Sequence, residues 1–178
     1  DYTDLDQVWM VVSPQNPLKQ KHSLLEDYHR LALVKVAIDD NPLLRASNIE
    51  FELPKPSYTA TTLAYLQEKH PENDFSLIMG EDNLRTFHKW KNHEQILERH
   101  HLYVYPRPLT ESEIEELDEL KLKKNEFEQH AHVHMCDAPV MKVSSSFIRS
   151  AIKMGKDVRY LLTDPVYKYV REMHFYEK

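Results

Sequence analysis

Ser144-Ser145-Ser146-Phe147-Ile148-Arg149 brings three hydroxyls and a guanidinium into little more than one helical turn. The apolar stretch before it ends at Val143. Ile148 and Ile152 then recur at helical spacing up to Gly155, so a helix is expected to start among the serines. A serine at a helix start accepts a hydrogen bond from a first-turn amide. The amides left over, with the positive end of the helix dipole, suit an anion. Arg149, about one turn in, can fork onto phosphate oxygens. The chemistry on offer is a polyphosphate clamp. The plainer reading, a capped helix with a solvated arginine, stands beside it.

Other chemistry-bearing residues follow stretches that read as strands. Val8-Trp9-Met10-Val11-Val12 is continuous enough for a buried parallel strand, and a Pro- and Asn-punctuated loop after it leads to Lys19. Such loops, at the carboxyl ends of parallel strands, are where open α/β sheets bind ligands. Ser23 and Glu26 have capping-box spacing, and Leu24, Tyr28, Leu31 and Ile38 recur helically, so a helix is expected from Ser23 to about Asp39. Ile49–Leu53 alternates like a strand. A helix is expected to open at Ser57-Tyr58-Thr59, and Phe75–Met79 reads as a strand ending in Gly80-Glu81-Asp82-Asn83. A short helical stretch carries Leu84, Phe87 and Trp90. Another helix spans His93 to His100, and the strand Leu102–Tyr105 closes at Pro106-Arg107-Pro108. Asp164-Pro165 starts a last helix, with Asp164 expected as N-cap.

Strands separated by helices imply an α/β fold with a mainly parallel, Rossmann-like open sheet and helices on both faces. With two glycines in the chain, no Gly-rich dinucleotide fingerprint or P-loop can be written. A net charge of −6 argues against extended nucleic-acid binding, so an anionic ligand needs a local basic pocket. No apolar run reaches membrane length. A single cysteine, Cys136, fits the cytoplasm and reads as core filler. His130-Ala131-His132-Val133-His134 alternates histidines that could bind metal; no nearby acid or cysteine completes a convincing set, so it reads as edge-strand surface. Segment 110–129 is rich in Glu and Lys and reads as an exposed helix or mobile insertion.

Taken in order, Ser13-Pro14-Gln15-Asn16-Pro17-Leu18-Lys19, Pro56-Ser57-Tyr58-Thr59, Ile78-Met79-Gly80-Glu81-Asp82-Asn83, Phe87-His88-Lys89-Trp90, Tyr105-Pro106-Arg107-Pro108 and the serine-to-arginine stretch resemble nicotinate mononucleotide adenylyltransferases. That family belongs to the nucleotidyltransferase superfamily with a His-x-Gly-His motif. The resemblance implies adenylyl transfer from ATP to nicotinate mononucleotide, giving deamido-NAD and pyrophosphate, with Mg²⁺ travelling with ATP and no protein side chain holding a metal. It implies that Ser145, Ser146 and Arg149 hold ATP phosphates, with Arg149 the catalytic candidate, and that Ile148 lies close to the adenine. Gly80 and Asp82 match the loop on the adenosine side. Thr59 and Lys91 match positions whose amides receive the nicotinate carboxylate, and Trp90 the aromatic that stacks on the pyridine. Lys19 and Arg107 are candidates for phosphate or dinucleotide contact.

Read without the resemblance, Trp90 is core, Asp82 a helix cap, and Lys19 and Arg107 surface charge. The His-x-Gly-His motif itself does not occur in this sequence. The expectation is therefore a single nucleotidyltransferase domain lacking its first strand, loop and most of its first helix. Three alternatives stay open: transfer to nicotinamide mononucleotide, transfer to another phosphate ester, and a non-catalytic nucleotide-binding module. A homo-oligomer is compatible with all of them.

Overall fold

The computed structural model of the protein describes residues 3–14, 25–107 and 126–177. Lys19, Ser23 and most of the charged stretch 110–129 lie outside the described residues.

Val8–Val11 forms strand β1, and Leu44–Ser47 forms β2; they pair in parallel, with Val8 opposite Leu44 and Val11 opposite Ser47. Parallel pairing needs a crossover, and helix α1, Asp27–Ile38, lies between them in the chain. Helix α2, Thr59–Lys69, precedes a second parallel sheet of three strands, β3 (Leu77–Gly80), β4 (Leu102–Tyr105) and β5 (Val133–Met135), in that order. Helices α3 (Glu81–Arg85) and α4 (His93–Arg99) lie between β3 and β4. Helices α5 (Ser145–Lys153) and α6 (Asp164–Glu172) follow β5. Parallel sheets with helices on both sides are the α/β architecture that the strand–helix alternation implies.

The chain packs as two compact units, residues 1–4 with 58–142, and residues 5–57 with 143–178. In the first, Leu84, Phe87, Leu102 and Val104 are fully buried and anchor a cluster with Leu63, Met79, Ile96, Leu97 and Val133. On β4, Leu102 and Val104 alternate with half-buried Tyr103 and Tyr105, the period-two pattern of a strand with one dry face. In the second unit, Ala151, Ile152, Val158, Val170 and Phe175 form the core, joined by Leu25 and Leu33 from the α1 side.

Several local expectations are corrected. Ile49–Leu53 is no strand: Ile49–Glu52 is a 3₁₀ turn in which the neighbours Ile49 and Glu50 are both buried, whereas successive strand residues face opposite sides. The strand lies earlier, at Leu44–Ser47, where Leu-Arg-Ala-Ser carries little apolar signal and pairing with β1 decides the conformation. In α1, Tyr28 is 60% exposed, whereas Ile38 is buried as expected; Leu33, with Leu25 just before the helix, packs against the core of the second unit. Glu26 is the N-cap of α1 and makes no side-chain cap bond. Thr163, not Asp164, caps α6; Asp164 is its first residue, with Pro165 close behind.

Candidate active site

The serine-to-arginine stretch in the second unit folds as its sequence indicates. Ser144 has an extended backbone, and its Oγ accepts a hydrogen bond from Phe147 N at 3.2 Å, capping α5. With Ser144 spent on the cap, Ser145 and Ser146 are left exposed in a first turn that holds no acidic residue. Arg149 Nη2 donates to Ser146 Oγ at 3.0 Å, because residues three apart share a helix face. Two exposed hydroxyls, one of them bound by Arg149, lie with the open amides of a nine-residue helix and a half-buried guanidinium in its first two turns. Ile148 packs against the core around Ala151 and Val170 and keeps part of its surface exposed. Tyr176 lies in the field of this charge: burial pushes its hydroxyl up, while Arg149 and Arg30 pull it down.

The first unit positions the remaining described candidates. Gly80 ends β3 and is the N-cap of α3, where a Cβ would stand 2.4 Å from Asp82 Oδ1. The glycine lets the carboxylate fold back over the strand end. Asp82 Oδ2 accepts from Arg107 Nη1 at 2.6 Å, so two candidates 25 residues apart meet across the carboxyl ends of β3 and β4. Both are partly exposed, which limits what the pair adds to stability.

Thr59 opens α2, whose N-cap Tyr58 makes no side-chain cap bond; first-turn amides are thus available to an anion. Lys91 Nζ sits 4.4 Å from the centre of the Tyr58 ring, which brings Lys91 beside the start of α2. Trp90 is half-buried against the core, 5.6 Å from Phe87 between ring centres, and its Nε1 is buried without a hydrogen-bond partner. The core reading of Trp90 thus describes one side of the ring and leaves a polar atom to be satisfied.

The histidine run lies toward the other ends of the strands. His134 Nε2 is 2.8 Å from His101 Nδ1, and His132 Nδ1 is 2.7 Å from Leu97 O. Among the described residues no three His, Cys, Asp or Glu side chains gather to hold a metal. Among the same residues, no helix is long and apolar enough to cross a membrane.

Residues 1–151 match the cytidylyltransferase-like family. A relative from Flavobacterium psychrophilum, named as a probable nicotinate-nucleotide adenylyltransferase, is 52% identical over 99% of this chain and 86% of its own length. The chain belongs to the nicotinate-nucleotide adenylyltransferase family. A relative from Bacteroides fragilis with the same name is 42% identical over 94% of this chain and 78% of its own. Among solved structures, Plasmodium falciparum nicotinic acid mononucleotide adenylyltransferase complexed with NaAD superposes with a TM-score of 0.71. That match covers 97% of this chain and 83% of that one at 16% identity, a likeness of fold.

Seen within this adenylyltransferase family, three residues beside the candidates were not singled out by the sequence. Tyr58 is the ring under Lys91, and Tyr176 feels both arginines. Arg30 looks in sequence like any polar helix residue. Only its bonds to Ser13 and Leu25 distinguish it.

Proposed function

We propose that this chain transfers the adenylyl group of ATP to nicotinate mononucleotide, releasing pyrophosphate and forming deamido-NAD in NAD biosynthesis. The observation that carries this reading is the 52% identity, sustained over 99% of the chain, to a relative named for that reaction. A phosphate oxygen of the mononucleotide attacks the α-phosphorus of ATP. The bond from that phosphorus to the bridging oxygen breaks, and pyrophosphate leaves with the electron pair. No protein nucleophile is required, so the protein supplies position and charge.

The exposed hydroxyls of Ser145 and Ser146, the open amides of α5 and the Arg149 guanidinium are assigned to the triphosphate. Ile148, in the same turn of helix, is assigned to the adenine. Mg²⁺ enters as part of the substrate, bound to the triphosphate oxygens. Asp82, with Gly80 making room for it, is assigned to the ribose hydroxyls; Arg107, now bound to Asp82, is freed toward phosphate when the ribose arrives. The first-turn amides at Thr59 and the Lys91 amide are assigned to the nicotinate carboxylate, and Trp90 to the pyridine face. Lys19 is assigned to phosphate on the resemblance alone. One free cysteine, Cys136, suits a cytoplasmic enzyme.

The test is pyrophosphate release with MgATP and either mononucleotide, the acid or the amide. Release should require the mononucleotide, prefer the acid, and fall by about 100-fold or more in Arg149→Ala, the scale of losing a charged transition-state contact. Equal use of the amide overturns the carboxylate assignment. Release that survives Arg149→Ala overturns the clamp.

A further inference from the structure

Period-two alternation gathers rings on one face of β4 and β5. Leu102, Val104 and Val133 are buried in the core of the first unit. His101 and Tyr103 along β4 therefore share the opposite face with His132 and His134 along β5. The register puts Tyr103 opposite His134, and the two rings stack 5.0 Å apart between centres. The His101 ring lies 4.7 Å from that of His132 and 4.9 Å from that of His134.

The imidazoles differ in what holds them. His132 Nδ1 is 2.7 Å from Leu97 O; a carbonyl only accepts, so the proton sits on Nδ1. His130 Nδ1 accepts from His132 N at 3.2 Å. His101 Nδ1 and His134 Nε2 instead face each other at 2.8 Å. One donates and the other accepts, and either ring can take either part. Asp4 adds negative charge beside the pair, since its carboxylate accepts from the hydroxyl of Tyr103, the ring stacked on His134.

Two ring nitrogens at this spacing suit a metal ion of a particular geometry. Metal–nitrogen bonds run about 2.0–2.1 Å, so two nitrogens at a right angle on one ion stand about 2.9 Å apart, and at the tetrahedral angle about 3.4 Å. The observed 2.8 Å fits the right angle. Square-planar and tetragonal cupric and nickel centres with nitrogen and oxygen ligands have that angle, whereas zinc takes the tetrahedron. Chelation needs both facing nitrogens bare. The donor ring meets this by moving its proton to its far nitrogen, a tautomeric change that leaves both imidazoles neutral. Each ring then turns from facing its neighbour to facing a shared point. The protein supplies two ligands, and water oxygens complete the coordination.

We propose that His101 and His134 form a chelating site for one cupric or nickel ion on the outer face of β4 and β5. The site lies toward the amino ends of these strands, whereas Asp82 and Arg107 meet at the carboxyl ends of β3 and β4. It does not rest on the reaction assigned to the chain.

The experiment titrates the full chain with Ni²⁺ by calorimetry and with Cu²⁺ by electron paramagnetic resonance. Nickel is the calorimetric probe because it leaves the free thiol of Cys136 unoxidised. One strong Ni²⁺ site per chain is expected, about fivefold tighter than for Zn²⁺, with no binding of Mg²⁺, a hard cation that prefers oxygen. His101→Gln and His134→Gln should each weaken it about 100-fold, the gain lost when a second ligand no longer sits on the same frame. His130→Gln should stay within about twofold, as an imidazole outside the pair. The Cu²⁺ spectrum should be axial, split by two nitrogens in the unmodified protein and by one in either variant. Affinity unchanged in both variants, tighter binding of Zn²⁺ than of Ni²⁺, or a spectrum unaltered by either substitution overturns the proposal. His101 is exposed, so His101→Gln decides alone where His134→Gln does not fold. Pyrophosphate release should stay within about twofold in His101→Gln, so the metal site and the reaction fail or stand separately.

Discussion

Asp82 shows how a residue's neighbours decide what it can do. Its carboxylate is held between the bare Cα of Gly80 and the Arg107 guanidinium. In Gly80→Ala the new methyl displaces the carboxylate. Since the atom it meets is the end of a flexible side chain, stability should change by less than about 1 kcal/mol. Affinity for ATP should still fall about tenfold, as the carboxylate assigned to the ribose leaves its place. Calorimetry beside a thermal melt separates the two; unchanged ATP affinity would remove Asp82 from the site. Tyr103 gives a second residue-level expectation. Its hydroxyl donates to Asp4 Oδ1 at 2.5 Å, and that bond, more than burial, pushes the phenol up to about 12 and draws the Asp4 carboxyl below its usual value. A group raised in the folded state stabilises fully below its unfolded value near 10, and the contribution is lost as pH rises toward 12. Ultraviolet difference titration against Tyr103→Phe should show one tyrosine ionising near 12, returning toward 10 in Asp4→Asn.

Among the elements, α5 divides labour between adjacent serines. Ser144 caps the helix, while Ser145 and Ser146 remain exposed. Ser144→Ala should therefore cost about 1 kcal/mol, read from urea denaturation. Ser145→Ala should leave stability within about 0.5 kcal/mol, since surface changes away from caps are small, and lower activity instead. If Ser145→Ala destabilises as much as Ser144→Ala, the division of labour is wrong. The serine-to-arginine stretch was fully legible as a helix start, because capping and i,i+3 geometry are local. Which serine caps was not legible, since any of three hydroxyls satisfies the same rule. At β2 the local signal failed outright. Leu-Arg-Ala-Ser is extended because β1 offers it backbone partners, and no pattern within four residues records that.

At the scale of the whole molecule, each compact unit has its own apolar cluster, and each carries part of the candidate machinery. Phe87 is fully buried and sits between Trp90 and His93, with ring centres 5.6 and 5.7 Å away. Phe87→Ala should cost about 3–5 kcal/mol in urea denaturation, the range for emptying a buried aromatic. It should also loosen Trp90, whose near ring face would border a cavity; tryptophan fluorescence should shift to the red. A cost below about 1 kcal/mol would mean that this core collapses around the gap.

The sequence by itself determined what short-range rules can reach. Continuous apolar stretches made β1 and β3 readable, Pro106 marked the end of β4, and the serine run marked a helix start that suits an anion. The order of motifs along the chain carries the resemblance to the adenylyltransferase family, to which the chain belongs. The tertiary structure decided what depends on residues far apart in sequence. Parallel register put Gly80 opposite Tyr105 and so brought Arg107 onto Asp82. Packing decided that Trp90 keeps a buried N–H without a partner, and that Arg30, featureless in sequence, gathers the carbonyls of Ser13 and Leu25. The physical reason is one of range. Caps and periodicity are set by neighbours within a turn or two, whereas these contacts exist only once strands and helices have been fixed against one another.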